Sequence, residues 1–111
     1  MKMIDFEIFA SLYREAKEYT DIDLYTMERG WQDWMNDLAN AEEIIDMLKK
    51  IYDIANHGID AVLSRYRSLK QVSVLYGIPY STVQKWHSGA IVPPEYTVMM
   101  LAYITMQNAQ K

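Results

Sequence analysis

Between residues 4 and 19, Phe9, Leu12, Tyr13 and Ala16 fall on one side of a helix, with Glu7, Arg14, Glu15 and Glu18 on the other. That pattern predicts an amphipathic helix. From Thr20 to Gly30 the pattern is mixed: Thr20 or Asp21 can cap a turn leading into Leu24, Tyr25 and Met27, and Gly30 interrupts it. Trp31, Trp34, Met35 and Leu38 then share a face at i, i+3, i+4, i+7. Two tryptophans on one short helix suit a binding surface. The more ordinary reading makes them the core of the N-terminal region, because large aromatics dominate small cores.

Asn40 and Glu43 form a capping box opening the clearest helix of this half. Ile44, Leu48, Ile51, Tyr52 and Ala55 make its apolar stripe. Glu42, Asp46, Lys49, Lys50 and Asp53 lie outside, with Asp46 positioned to pair Lys50, and Gly58 ends the helix. The outer charges read as a solvated face. Ile59 to Tyr66 predicts a further helix whose Val62 and Leu63 pack on the helices C-terminal to it.

The next stretch, Ser68 to Pro94, reads SLKQVSVLYGIPYSTVQKWHSGAIVPP. Ser68 can cap a helix starting at Leu69, with Gln71 completing a capping box. Val72, Leu75 and Tyr76 supply its apolar face, and the small Ser73 permits a close crossing by the next helix. Gly77 sits where the chain leaves the helix with positive φ, Ile78 plugs the core, and Pro79 forbids continuation. Tyr80 or Ser81 opens a second helix, in which Val83 and Trp86 face inward and which Gly89 ends. Ser81, Gln84, Lys85 and Ser88 fall at i, i+3, i+4, i+7 and form a mostly uncharged polar strip on the other side. Such a helix, turn and helix is the pattern of a reader of the DNA major groove.

Pro93 and Pro94 stop the loop, and Pro94 suits the first turn of a last helix. Tyr96 to Met106 is apolar nearly all round. About eleven residues cannot span a bilayer, which takes about twenty, so no membrane role is expected. A helix apolar on every side must be covered on every side. The cover is either the chain's own N-terminal helices or a second copy.

Composition sharpens this division. Half the residues are apolar and there is no cysteine, which excludes disulfides and zinc-thiolate sites and fits a cytoplasmic protein. The first ten residues, broken by Asp5 and Glu7, do not form a signal peptide. A net charge of −4 argues against a nucleic-acid binder, but its distribution changes the conclusion. Residues 1–57 carry thirteen acids against six bases, a net of −7, while residues 58–111 carry two acids against five bases, a net of +3. A boundary near Gly58 is therefore expected between an acidic helical region, 1–57, and a basic one, 58–111, which holds the helix-turn-helix.

The Ser68–Pro94 stretch resembles the Cro/repressor (XRE-like) helix-turn-helix family, in the branch of small bacterial and mobile-element proteins with a Trp-x-x-Gly-x-x-x-Pro-Pro tail, here Trp86, Gly89, Pro93 and Pro94. The resemblance covers roughly residues 59 to 107. It implies a four-helix DNA-binding domain, which with the about three helices that periodicity predicts in the acidic region makes an all-α fold. Ser73, Gly77 and Val83 take the family's small, turn and buried positions. Tyr80, Ser81, Gln84 and Lys85, with Ser88 on the same strip, take base-facing ones. Arg65, Arg67, Ser68 and Lys70 fall where phosphates are met, although three bases in so short a span also occur on ordinary surfaces. The chain departs from the family at Leu69 and His87, where Gln and Glu are usual, and the first change removes a usual DNA contact.

Two functions fit this pattern. The first is a sequence-specific DNA-binding regulator, a repressor acting as a homodimer on double-stranded DNA, without cofactor or metal. The second is an acidic interaction protein whose residues 1–57 capture a basic protein, as a nucleic-acid-mimicking inhibitor or an antitoxin would, with the helix-turn-helix as scaffold or for autoregulation. Catalysis is not expected. His57 and His87 are the only histidines and show no metal-ligand spacing, and the carboxylates are spread over helix faces without a nucleophile motif or glycine-rich loop.

Overall fold

Short polar side chains set where the helices begin. In the computed structural model, which describes residues 4–30, 32, 35 and 40–108, Asp5 accepts a hydrogen bond from the Ile8 N–H at 2.9 Å and opens α1, Phe6–Ala16. Asp21 does the same for α2, Ile22–Arg29, through the Asp23 N–H. Asn40 opens α3, Ala41–His57: its Oδ1 accepts from the Glu43 N–H at 2.9 Å, and its Nδ2 donates back to Glu43 Oε1 at 3.0 Å. Each cap satisfies a helix N–H that would otherwise lack a partner.

Gly58 closes α3 at φ 69° and the chain turns at once into α4, Ile59–Leu63. This helix is shorter than the predicted span to Tyr66, since residues 64–66 form turns. α5 (Leu69–Tyr76), α6 (Tyr80–Ser88) and α7 (Glu95–Asn108) complete the chain. The protein is all-α, with seven helices and no strand among the described residues. No described helix is long and apolar enough to cross a membrane.

Two apolar clusters hold these helices. The larger joins Phe9, Leu12 and Tyr13 of α1, Ile44, Leu48, Ile51 and Ile54 of α3, and Val98, Ala102 and Met106 of α7, with Tyr25, Met35 and Val62. It draws on residues from both sides of Gly58. The smaller consists of Leu63, Val72 and Val83. Val62 and Leu63 were both expected against the helix-turn-helix, yet adjacent positions on a helix point about 100° apart. Only Leu63 joins the smaller cluster, and Val62 enters the larger. Trp86, Tyr66 and Tyr76 are half-buried and touch both. Of the face expected for Trp31, Trp34, Met35 and Leu38, only Met35 lies within the described residues, fully buried.

Buried tyrosines add directional ties. Tyr25 donates to the Leu12 carbonyl at 3.0 Å, and its burial raises its pKa. Tyr103 of α7 donates to the Ile4 carbonyl at 2.7 Å, fastening the last helix to the first described residues. At the other end of α7, the Glu95 carboxylate takes a 2.8 Å ion pair from Lys17, just past the end of α1, and a hydrogen bond from the Tyr13 hydroxyl. Along α7, Val98, Met99, Leu101, Ala102, Thr105 and Met106 are buried, whereas Tyr96 and Met100 face outward. The chain's own helices thus cover one side of α7, while Tyr96 and Met100 on the other stay exposed.

Candidate nucleic-acid interface

Ser68 caps α5 by accepting from the Gln71 N–H at 3.1 Å. The Gln71 side chain reaches back one residue further than a capping box requires and accepts from the Arg67 N–H at 2.7 Å. These two bonds fix the chain just where Arg67 and Lys70 emerge. Val72 is buried against Leu63 and Val83.

Leu75, expected on the same face, is instead 55% exposed. The cause is geometric: Val72 and Tyr76, four apart, already occupy the inward stripe, and position 75 falls to its side. Tyr76 is half-buried and its hydroxyl pKa is pushed up to about 12, first by burial and then by its bond to Tyr66.

The turn is held from both directions. Gly77 adopts φ 68° and ψ 27°, a left-handed conformation that costs residues with a Cβ. Ser73 donates through Oγ to the Ile78 carbonyl at 2.6 Å, while the Ser73 carbonyl accepts from the Ile78 N–H at 3.1 Å. Ser73 therefore pins the turn in addition to being small. Pro79 ends the turn, and its carbonyl accepts from Thr82 and Val83 in the first turn of α6. Val83 seats α6 fully buried on the smaller cluster.

With Val83 inward, Tyr80, Ser81, Gln84, Lys85 and Ser88 are all exposed, forming one continuous face of α6. Ser88 is the member least free to read a base: its hydroxyl donates to the Lys85 carbonyl at 3.2 Å and accepts from the Ala90 N–H at 3.3 Å. Those bonds help close α6 before Gly89, which is also left-handed. Lys70 Nζ sits 5.2 Å from the Tyr80 ring centroid, a cation–π contact that brings a predicted phosphate residue beside a predicted base-facing one.

Arg67, Ser68, Lys70 and Gln71 border a shallow depression of about 420 Å³ whose floor is Val74 and Leu75. Arg65 stands apart from this group. It leans toward α3, with Nη2 4.0 Å from Asp53 Oδ2.

Each histidine, expected to have no Cys, Asp or Glu at metal-ligand spacing beside it, meets one carboxylate: His57 Nδ1 lies 2.9 Å from Asp53 Oδ1, one helical turn back, and His87 Nδ1 lies 3.1 Å from Asp60 Oδ1 on α4. The first results from i, i+4 spacing and was readable in the sequence. The second joins residues 27 apart and depends on how α6 crosses α4. Among the described residues no group of three or more His, Cys, Asp or Glu side chains is arranged to hold a metal ion. A scan of protein-family models found no match to the chain, and neither a search of curated proteins nor one of solved structures found any.

Proposed function

We propose that the chain is a sequence-specific DNA-binding transcriptional regulator, a repressor that enters the major groove with α6. The observation carrying this reading is the outward face of α6: Tyr80, Ser81, Gln84, Lys85 and Ser88 exposed together behind a stiff glycine turn, with Val83 buried beneath. Gln84 suits adenine, and Lys85 suits guanine or a phosphate. Arg67, Ser68 and Lys70 border the same end of the motif and would meet the backbone. Arg65 joins them only by leaving Asp53. Two copies would set their α6 helices roughly 34 Å apart in successive major grooves. In this reading the protein is not an enzyme, needs no cofactor and works in the cytoplasm.

The test is fluorescence anisotropy with random and genomic DNA fragments over a range of salt, with Gln84→Ala, Lys85→Ala as control. Some fragments should bind far above the random pool, and the double variant should lose that preference. Four bases per protomer adjoin the motif (Arg65, Arg67, Lys70, Lys85), so the slope of log K against log salt should be no steeper than about −4 per protomer. Equal binding to all fragments at every salt concentration would sink the proposal.

A second reading draws on the exposed acids of the N-terminal half, among them Glu7, Glu18, Asp23, Glu42 and Asp46. With a net of −7 over residues 1–57, this half would capture a basic protein in place of, or together with, DNA. Salt-sensitive binding of a basic protein that is lost when Glu42 and Asp46 are changed to Lys would favour it.

A further inference from the structure

Arg67, Lys70, Gln71 and Val74 follow one another at i, i+3, i+4, i+7 and run from the cap onto the outer face of α5. Val74 is 72% exposed and Leu75 beside it 55%. These two floor the depression of about 420 Å³ that Arg67, Ser68, Lys70 and Gln71 border. Among the described residues neither Arg67 nor Lys70 enters an ion pair, whereas Arg65 leans on Asp53. The Ser68 hydroxyl and the Gln71 side-chain oxygen are engaged in the cap and hold that side of the rim in place. An exposed apolar floor thus lies beside two cations that no carboxylate of the described chain neutralises.

We propose that this depression docks an acidic segment of a partner protein, with an apolar side chain on Val74 and Leu75 and carboxylates on Arg67 and Lys70, and that the docked segment excludes DNA. The exclusion rests on the DNA-binding reading; the docking does not. Arg67 can hold a carboxylate through two parallel N–H donors, and Lys70 through its ammonium. The apolar side chain removes water from Val74 and Leu75, which a carboxylate alone would leave wet.

Charge and polarity together select this occupant. A basic partner is repelled by Arg67 and Lys70, and an uncharged apolar one would desolvate both cations without giving them a counter-charge. A two-fold axis through the depression would set the same cations of two copies against one another. Phosphates suit the rim but would leave the apolar floor facing a sugar–phosphate backbone. An anionic bilayer meets a wide surface, on which the chain's net −4 opposes it. A short acidic segment meets only the basic half, net +3 over residues 58–111. Lys70 Nζ lies 5.2 Å from the Tyr80 ring centroid, so the depression adjoins the base-facing strip of α6. Cations engaged by carboxylates there are lost to phosphates, which makes docking and DNA binding compete.

Random peptides displayed on phage, selected on the full chain and counter-selected on its Val74→Gln variant, test the inference. Val74 is largely exposed, so this variant should keep the wild-type circular dichroism and bind DNA unchanged. The enriched peptides should carry Asp or Glu next to Leu, Ile, Phe or Trp. Measured singly by fluorescence anisotropy, they should bind the wild type at least about tenfold more tightly than Val74→Gln. Lys70→Gln should weaken peptide and DNA alike, and an enriched peptide should displace bound DNA.

No enrichment, or enriched peptides without an excess of acids, overturns the docking. So does wild-type binding to phosphatidylserine vesicles, or self-association of the chain, that Val74→Gln abolishes, since either would give the face to a different occupant. A complex holding peptide and DNA together overturns the exclusion. Failure of the regulator reading would show differently, as peptide binding by a chain that prefers no DNA fragment.

Discussion

The Tyr66 hydroxyl lies 2.7 Å from Thr105 Oγ1 and also bonds the Tyr76 hydroxyl, so one oxygen joins α5, the loop before it and α7. The direction of the chain is fixed at its far end. Thr105 donates its only hydroxyl hydrogen to the Leu101 carbonyl at 2.7 Å and must therefore accept from Tyr66, which in turn accepts from Tyr76. Tyr66→Phe removes the middle link and leaves a donor and an acceptor unmatched in a half-buried site. It should cost about 1–2 kcal/mol in urea unfolding, more than Tyr76→Phe, which removes one terminal donor.

The same chain predicts an alkaline limit. Tyr76 ionises near 10 when unfolded and is pushed up to about 12 in the fold, by burial first and by donation to Tyr66 second. A raised folded pKa means that the unfolded chain loses its proton first. The stabilisation is complete below pH 10 and is lost as pH climbs from there to about 12. Burial raises Tyr13 and Tyr25 in the same direction. Urea midpoints measured from pH 8 to 11 should be level at first and fall beyond 10, and a midpoint still level at pH 11 would refute this account.

Glu95 sets the acid side. Its partial burial alone would raise its pKa, but the Lys17 ion pair and the Tyr13 hydroxyl outweigh that, and the net shift is downward. A depressed carboxyl contributes stability above its unfolded pKa and loses it as pH falls through the folded one. Glu95→Gln should therefore be less stable than wild type at pH 7, by less than about 1 kcal/mol because the pair is half exposed to solvent. The two proteins should converge at pH 2–3, and a difference that persists there would assign the effect to packing rather than charge.

Gly77→Ala isolates the backbone contribution of the turn. A Cβ at 77 would meet nothing within 4 Å, so the cost arises from φ +68° alone. About 1–2 kcal/mol of stability should be lost, and Gly77→Asn should lose less, because Asn tolerates the left-handed region. Equal losses in both variants would point instead to an effect on the hydrogen bonds of the Ser73–Ile78 turn.

Local chemistry made most of the helix ends legible. Asp21, Asn40 and Ser68 cap as their side chains predict, and Gly58, Gly77 and Gly89 end helices because each supplies a positive φ that other residues avoid. The buried Val72 and Val83 and the exposed strip of α6 are consequences of helical spacing alone. Crossings between helices could not be read this way. Leu75 is apolar and its spacing suggests an inward place, yet it is more than half exposed. His87 meets Asp60, and Arg65 meets Asp53, only through the relative placement of whole helices. The hydroxyl chain through Tyr66 was likewise invisible, since a tyrosine at a turn gives no sign of two partners 10 and 39 residues away.

The bond from Tyr103 to the Ile4 carbonyl spans 99 positions, which makes synthesis itself part of the folding problem. At about 5–20 residues per second, a ribosome needs on the order of 5–20 s between making the two partners. During that interval the nascent α1 and α3 carry Phe9, Tyr13 and Ile51 without the helix that completes their cover. Until α7 emerges, the growing chain therefore exposes apolar surface of the kind that favours aggregation, and α7 is the clasp that covers it.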